Sequence, residues 1–522
     1  MKHAWSAIVT TLLAAVVLGT RTVAAGTVTD SYAIAVSAAV MNDPDWKAAT
    51  VDTLKAKYPQ ATLSVWKNSV DEVCADLAKT LPAYTAFVMK PEEAGTKMTI
   101  AISNLCRALD DDPYVDTFWS VITGYDAPSA KLLAEAKPIA VERGLDCANT
   151  DMKAFEECWR YSEDHRGKAK YWKRGTTDGI ETSDCDTDNT PYVLERLQKD
   201  KVQFLATSGH ATQHDWQMGY CGPNMAMIHK EGKLYVVDTK KKLHPAGSTE
   251  PKVYIAAGNC LIGDIDKPDC MALSWMKDGG VRQFMGYTVT TWFGAQGWGT
   301  LGHFAGHAGF YTMNEAFHFT NTGIVKAIAD TGIPEAMSYR MEKIEHLNMP
   351  KLPETAVNAW AARQVAAGIN QKELPKAFQT IVGNLHDRDT VCVYGDPALN
   401  ARMALCQMRP LEAQVFPAGL SVGIVTANDA APYNGNIWLR LPGSWTYDVA
   451  KAKLPKQLGK PDLVLDNMIR FPNADLQPGR SYRILLQGAR PKRPGTMELR
   501  RTPARSGKVC AGIMPSVQKV TE

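Results

Sequence analysis

Two residue types that together make a nucleophile and its base stand at equivalent places in this chain. His210 closes the run KVQFLATSGHA, and Cys260 closes the run KVYIAAGNC. A thiol with a pKa near ~8.5 is mostly protonated at neutral pH, whereas its thiolate attacks carbonyl carbon readily. A histidine, unperturbed near ~6.5, can take the thiol proton and later return it to a leaving amine. The pair therefore supports acyl transfer through a thioester at Cys260, followed by attack of water. The developing oxyanion needs donors, and the backbone N–H groups of Ala211 and Cys260, beside the permissive Gly209 and Gly258, are the expected ones. His214 and Asp215 are given no orienting role, because both lie too close to His210 in sequence.

Strands must deliver those two side chains. Each run is apolar for about the length of a strand, rich in Val, Ile, Phe and Tyr, and stops at small residues, the pattern of a buried parallel strand. In open α/β sheets ligands bind beyond the carboxyl ends of the strands, so neighbouring strands ending in His and Cys would set base beside nucleophile. Upstream, YAIAVSAAV, ATLSVWK and YTAFVMK read as strands. Between them DPDWKAATVDTLKAKYP and SVDEVCADLAK keep a helical period, with Asp43 and Ser69 as N-caps. This βαβαβ order predicts a parallel sheet. The middle of the chain continues it with helix MALSWMKDG, strand VRQFMGYTV, and a helical stretch from YTMNEAFHF through EAMSYRMEKIEHL. From about residue 411 the texture changes to short runs bounded by Pro, Gly and Asn, with a turn expected at Asn434-Gly435, and predicts a small β-sandwich.

Length divides the chain further. With 522 residues it exceeds what one core usually serves. The expected divisions are a signal peptide (1–25), an N-terminal α/β subdomain (26–150), a catalytic subdomain (151–410), a β-sandwich (411–505) and a basic, flexible tail (506–522). The leader has Lys2, an apolar stretch from Ala7 to Gly19 and small residues Val23 and Ala25 at cleavage spacing, so the mature chain is expected to begin near Gly26 in an exported product, periplasmic or extracellular. A net charge of +3 gives no case for nucleic acid as a partner, and no later apolar run predicts membrane insertion. The 11 cysteines are an odd number, so in an oxidising compartment ten could pair as five disulfides and leave one thiol free, expected to be Cys260; the other reading is that several are buried and reduced, since their spacings show no disulfide framework.

Two other segments carry candidate chemistry. KRGTTDGIETSDCDTDNTPY (173–192) gathers Asp178, Glu181, Asp184, Asp186 and Asp188 in what reads as a loop. It could line a pocket for a basic side chain, hold a structural calcium through hard oxygen ligands, or be a solvated surface loop. GHFAGHAGF places His303 and His307 four apart, a spacing that on a helix could bind zinc. The residue after His303 is Phe304 rather than a glutamate, and the glycines make a regular helix doubtful. No metal site is therefore assigned.

The ordered set of Ser-Gly-His and Ala-Ala-Gly-Asn-Cys, each after an apolar run, resembles the caspase-like cysteine peptidases and, within them, the gingipains. DPYVDTFWSVITGYDAPSAKLLAEA (112–136) is similar to the stretch before their catalytic half. CMALSWMKDGGVRQFMGYTVTTWFG (270–294) is similar to the helix and strand after their nucleophile, and VYGDPALNAR (393–402) to the close of their peptidase domain. Together these cover roughly residues 30 to 410. Ala211 and Tyr125 stand where that family has Gly and Arg. The resemblance implies an α/β, caspase-like parallel-sheet sandwich with helices on both faces and a C-terminal immunoglobulin-like β-sandwich. It also implies a cysteine endopeptidase acting on proteins or peptides, with no required cofactor and with Trp292 over the specificity pocket. Cleavage after Arg or Lys is expected if the acidic segment 173–192 forms that pocket. A catalytically silent relative that binds a peptide or surface ligand is the alternative.

Overall fold

Strands whose consecutive residues are all apolar need cover on both faces, and those of this chain assemble into one twelve-stranded sheet. Its members in chain order are β1 (Tyr32–Ser37), β2 (Thr62–Trp66), β3 (Tyr84–Val88), β4 (Phe118–Ile122), β5 (Arg143–Cys147), β6 (Glu157–Tyr161), β7 (Lys168–Lys173), β8 (Glu181–Asp184), β9 (Phe204–Gly209), β10 (Lys252–Asn259), β11 (Val281–Tyr287) and β12 (Val391–Gly395). They lie in the order β8-β7-β6-β5-β9-β10-β11-β12-β4-β3-β1-β2. Pairing is parallel except at β7–β8, β6–β7 and β11–β12. The computed structural model describes residues 26–28, 30–148, 150–161, 168–176, 181–184, 190–218, 226–307, 309–341, 349–405, 407–492 and 499–500. The expected signal peptide and the tail 506–522 lie outside them.

Local sequence explains the first half of this sheet. Asp43 caps the segment between β1 and β2, its carboxylate accepting from the N–H groups of Asp45 and Trp46. Ser69 and Glu72 form a capping box ahead of β3. The chain thereby turns helical twice between strands and returns each time in the parallel sense. Residues of β1, β3 and β4 are buried without alternation, so both faces of the sheet are covered. The cover comes from helices α1 (Thr96–Leu105), α2 (Ala127–Ala134), α3 (Met271–Lys277), α4 (Ala295–Gly306), α5 (Met313–Ala329) and α6 (Leu374–Asp389). Helices α2 and α3 pack together and reach β11, while α4, α5 and α6 form a second group with α4 on β10. The expected helical stretch after YTMNEAFHF is α5 followed by a separate turn at Pro334–Met337, broken at Gly332, whose φ of 62° no regular helix allows.

The C-terminal region is antiparallel. Met408–Phe416, Gly419–Thr426 and Ser481–Gln487 lie side by side, and Tyr433–Arg440 pairs with Met468–Leu476. Gly26–Val28 adds to the first sheet beside Met408–Phe416, tying the start of the described chain to its end. The turn expected at Asn434-Gly435 is instead a bulge inside a strand, where the register shifts between Gly435 and Ile437. Partly buried charge around the buried Glu315 joins this region to the α/β body. Arg440 binds Asp30 through two N–H groups at 2.7 and 2.8 Å and Glu315 at 3.2 Å, and Arg402 binds Glu315 at 3.0 Å. The ring of Trp438 stacks on Phe319 beside them, 5.5 Å between centroids.

The cysteines do not form the expected framework. Cys74, Cys106, Cys158, Cys260, Cys270 and Cys392 are all free thiols, so at most five of the 11 remain and five disulfides cannot form. Position in the fold is the reason, since Cys106, Cys158, Cys270 and Cys392 are built into the core as small apolar residues. Desolvation raises the Cys270 and Cys392 thiols to about 12, and they stay protonated.

Candidate active site

Strands β9 and β10 are parallel neighbours, and Gly209 lies opposite Asn259 in their register. His210 and Cys260 are the next residues, so they leave the same end of the sheet side by side. The backbone turns sharply at both exits. Gly209 has φ 94°, which a glycine adopts freely. Leu261 has φ 59°, a left-handed conformation that a branched aliphatic residue holds only when its surroundings impose it. His210 is exposed and Cys260 half-buried.

Asn259 locks the two strand ends together. Its side chain is fully buried, its amide N–H donates to Gly209 O at 3.1 Å, and its carbonyl oxygen accepts from the Thr207 hydroxyl. The third wall comes from the chain after β11. The backbone N–H of Thr291 donates to Cys260 Sγ at 3.3 Å, while the Thr291 hydroxyl donates to Asn259 O at 3.1 Å. Ala211 faces Trp216 in an isolated bridge whose hydrogen bonds use His210 O and Thr212 N, at 2.9 Å each, and neither uses the Ala211 N–H. Trp216, buried, donates through its indole to Ser208 O at 3.1 Å and fixes the return of this loop.

Aromatic surface borders the same end of the sheet. Trp292 follows Thr291 directly and is 48% exposed; Trp298, on the first turns of α4, is 43% exposed. Gly258 lies close against β9, since a Cβ there would stand 3.0 Å from the Ser208 Cβ, with the Trp298 ring at ordinary contact distance. Large exposed indoles beside Cys260 are unusual, because such area is normally buried. Sequence reasoning singled out Trp292 but missed Trp298, Thr291 and Asn259, which act through contacts with residues distant in the chain. The dipeptide Asn259-Cys260 at a strand end carried a signal for the last of these, because a buried amide must find partners.

The loops beyond the pair are stitched together. Gln213 Nε2 donates to Asp264 at 3.1 Å, the Met271 N–H donates to Gln213 O at 2.7 Å, and His214 meets Asp266 at 3.1 Å. Asp264 is anchored in turn by the N–H and hydroxyl of Thr96. Where the family resemblance would place Arg, Tyr125 carries the Lys277 ammonium over its ring at 3.9 Å, and that ammonium also binds Asp126 at 2.9 Å.

The remaining sequence candidates fall elsewhere. Glu181 and Asp184 belong to β8, an antiparallel edge strand rather than a loop, with β7, β6 and β5 between it and β9. Asp178, Asp186 and Asp188 lie outside the described residues. His303 and His307 are on and just after α4, which is a regular helix despite its glycines. Gly297 and Gly299 are there for close approach, because a Cβ would stand 2.0 Å from Ala257 O and 2.4 Å from Thr320. His307 Nε2 bonds the Tyr433 hydroxyl at 2.8 Å and so joins the body to the C-terminal region. Burial, then His307, pushes His303 down to about 3, although the residue as a whole is only partly buried. Among the described residues, the carboxylates of Asp110, Asp112 and Asp116 come together within 4.8 Å, a hard-oxygen set of the kind calcium takes. Lys492 pairs with Asp110 there, and burial pushes Asp116 up to about 9.

Solved structures give two likenesses. The chain is similar to the Arg-specific cysteine proteinase gingipain R (RgpB), at 11% identity and a TM-score of 0.40, over 88% of this chain and 91% of that one. It is also similar to the complex of Porphyromonas gingivalis RgpB pro- and mature domains, at 11% identity and a TM-score of 0.36, over 87% and 93%. No protein-family profile and no curated protein matches the chain. The chain's own residues must therefore carry any assignment of function. No helix among the described residues is long and apolar enough to cross a membrane.

Proposed function

We propose that this chain is an exported cysteine-type endopeptidase in which Cys260 is the nucleophile and His210 its base. The observation that carries the reading is the register of β9 and β10, which brings these two residues to the same end of adjacent parallel strands. His210 takes the thiol proton, the thiolate attacks the scissile carbonyl, and the proton passes to the leaving amine; water then hydrolyses the thioester with His210 again as base. The oxyanion is met by the N–H groups of Ala211 and Cys260. The Thr291 N–H holds the sulfur in place for the attack. Trp292 and Trp298 offer flat apolar faces to the substrate, and such faces also take the cation of Arg or Lys, the residues we propose precede the cleaved bond. The antiparallel C-terminal strands are read as an immunoglobulin-like module without chemistry of its own.

The test is turnover of a mixed peptide library by the purified protein, with and without a thiol alkylator. Alkylator-sensitive cleavage led by Arg or Lys is expected. For His210→Ala, circular dichroism should be unchanged and turnover should fall by ~10²–10⁴. A folded His210→Ala protein with wild-type turnover would sink the pair.

A further inference from the structure

Four titratable side chains outside the reacting pair form a continuous chain across the loops that leave β9 and β10. Asp269 Oδ1 lies 3.0 Å from His229 Nδ1, His229 Nε2 lies 3.0 Å from His214 Nδ1, and His214 Nε2 lies 3.1 Å from Asp266 Oδ2. Every atom in these links carries a lone pair unless protonated, so each link needs a proton of its own. Two neutral imidazoles supply only two protons for the three links. A complete chain therefore holds one extra proton.

Its place follows from the surroundings. His229 is the more enclosed ring, 7% exposed, and burial is the main cause that depresses its pKa, with His214 and the Lys267 ammonium adding to the effect against the pull of Asp269. His229 is thus the neutral member, donating from Nδ1 to Asp269 and accepting at Nε2. His214, 35% exposed beside Asp266, then donates from both nitrogens. Asp269 is held anionic, against the effect of burial, by the N–H groups of Gly232 and Glu231 and by His229. Asp264 also lies near this end, where Gln213 and Thr96 already bind it, and Asp215 follows His214 directly in the chain.

We propose that Asp266, His214, His229 and Asp269 form a proton-operated clamp that positions the loop after His210 against the loop after Cys260. His214 lies four residues beyond His210, and Asp266 six beyond Cys260, so the clamp closes the same crevice from outside. With only two protons, His214 Nε2 and Asp266 face each other as lone pairs and the link parts. With four, two imidazolium rings face each other and the central link parts instead. The clamp is closed between these limits, within the histidine range of roughly pH 5–8. It depends on the peptidase reading only for its effect on turnover, and these four are positioning residues rather than catalytic ones.

The decisive variant is Asp266→Asn in the full chain. An amide can donate to His214 Nε2, so all three links close with two neutral imidazoles, and the extra proton is no longer needed. Thermal-unfolding midpoints and the rate of Cys260 alkylation by iodoacetamide are followed across roughly pH 4–9. The wild type is expected to lose midpoint and change its alkylation rate on the alkaline side of the window. Asp266→Asn should keep its neutral midpoint and lose that alkaline limb. Superimposed pH profiles for the two proteins would overturn the clamp. Histidine ¹⁵N spectra of the wild type provide a second test that needs no variant: one doubly protonated imidazole is expected within the window, and none at any pH between these limits would overturn the proposal. Differing profiles in a protein that cleaves no peptide would leave the clamp standing and remove the peptidase reading; the converse result would do the reverse.

Discussion

Among the described free thiols Cys260 combines partial exposure with a backbone N–H on its sulfur; Cys74 is as open, and Cys270 has backbone donors but is buried. Burial pushes the thiols of Cys106, Cys270 and Cys392 up, and the half-buried Cys74 is raised by desolvation and then by Asp71. A limiting alkylator should therefore label Cys260 before these four, with any peptide turnover falling in step, because thiolate character and access set the rate. Peptide mapping by mass spectrometry checks the order, and preferential labelling of Cys74 would contradict it. Asn259 gives a second expectation at this scale. Asn259→Ala leaves the Gly209 carbonyl without its side-chain partner and Thr207 with the Tyr254 hydroxyl alone, at a cost of ~1–3 kcal/mol. It also frees the end of β9 to move relative to β10. Denaturant unfolding should show that loss, and any turnover should drop although neither His210 nor Cys260 has changed. Unaltered stability would mean that Asn259 does not hold the strand ends.

Helix α4 lies on β10 because its glycines let it approach the strand backbone. Gly297 and Gly302 are both inside α4, yet their surroundings are opposite. A Cβ at Gly297 would stand 2.0 Å from the Ala257 carbonyl oxygen, whereas at Gly302 there is nothing within 4 Å. Gly297→Ala should push the helix from the strand that ends in Cys260 and destabilise by ~1–3 kcal/mol. Gly302→Ala should stabilise by ~0.5–1 kcal/mol, since it removes only backbone freedom from the unfolded chain. Thermal melts of the two variants test the pair. Equal shifts in the same direction would show that α4 does not make the close approach described.

The α/β body and the antiparallel C-terminal region share a continuous apolar core, and α5 stands between them. His318 on α5 is wholly buried, stacked on Phe118 with its Nε2 at 2.9 Å from the Trp119 backbone, and desolvation pushes it down to about 3. In the unfolded chain the same histidine takes its proton near ~6.5. Between these values the unfolded state binds the extra proton, so stability is full above the upper one and declines as pH falls toward the lower, by up to ~1.4 kcal/mol per pH unit for this histidine. His318→Phe should be less stable at neutral pH, having lost its bond to the backbone, but should show a shallower acid limb. Denaturant titrations at several pH values between these limits give the slope. An acid limb as steep as that of the wild type would place the sensitivity elsewhere.

Many of the elements are legible in the chain, because strands and caps answer to local rules. The apolar runs ending in His210 and Cys260, the caps at Asp43 and Ser69, and the succession of strand and helix are all set by side chains within a few positions of one another. Antiparallel texture after residue 411 was legible for the same reason. Tertiary structure alone decided what depends on distant neighbours. The glycines of α4 read as helix breakers until the backbone of β10 is seen against them, and Asn434-Gly435 reads as a turn until its partner strand makes it a bulge. The odd cysteine count suggested a framework, but the core takes those thiols as apolar filling. His214 had no role while measured against His210 alone, since its partners, His229 and Asp266, reach it only across two loops. A chain shows which groups it carries, whereas hydrogen-bond partners and the count of protons between them exist only once the loops have met.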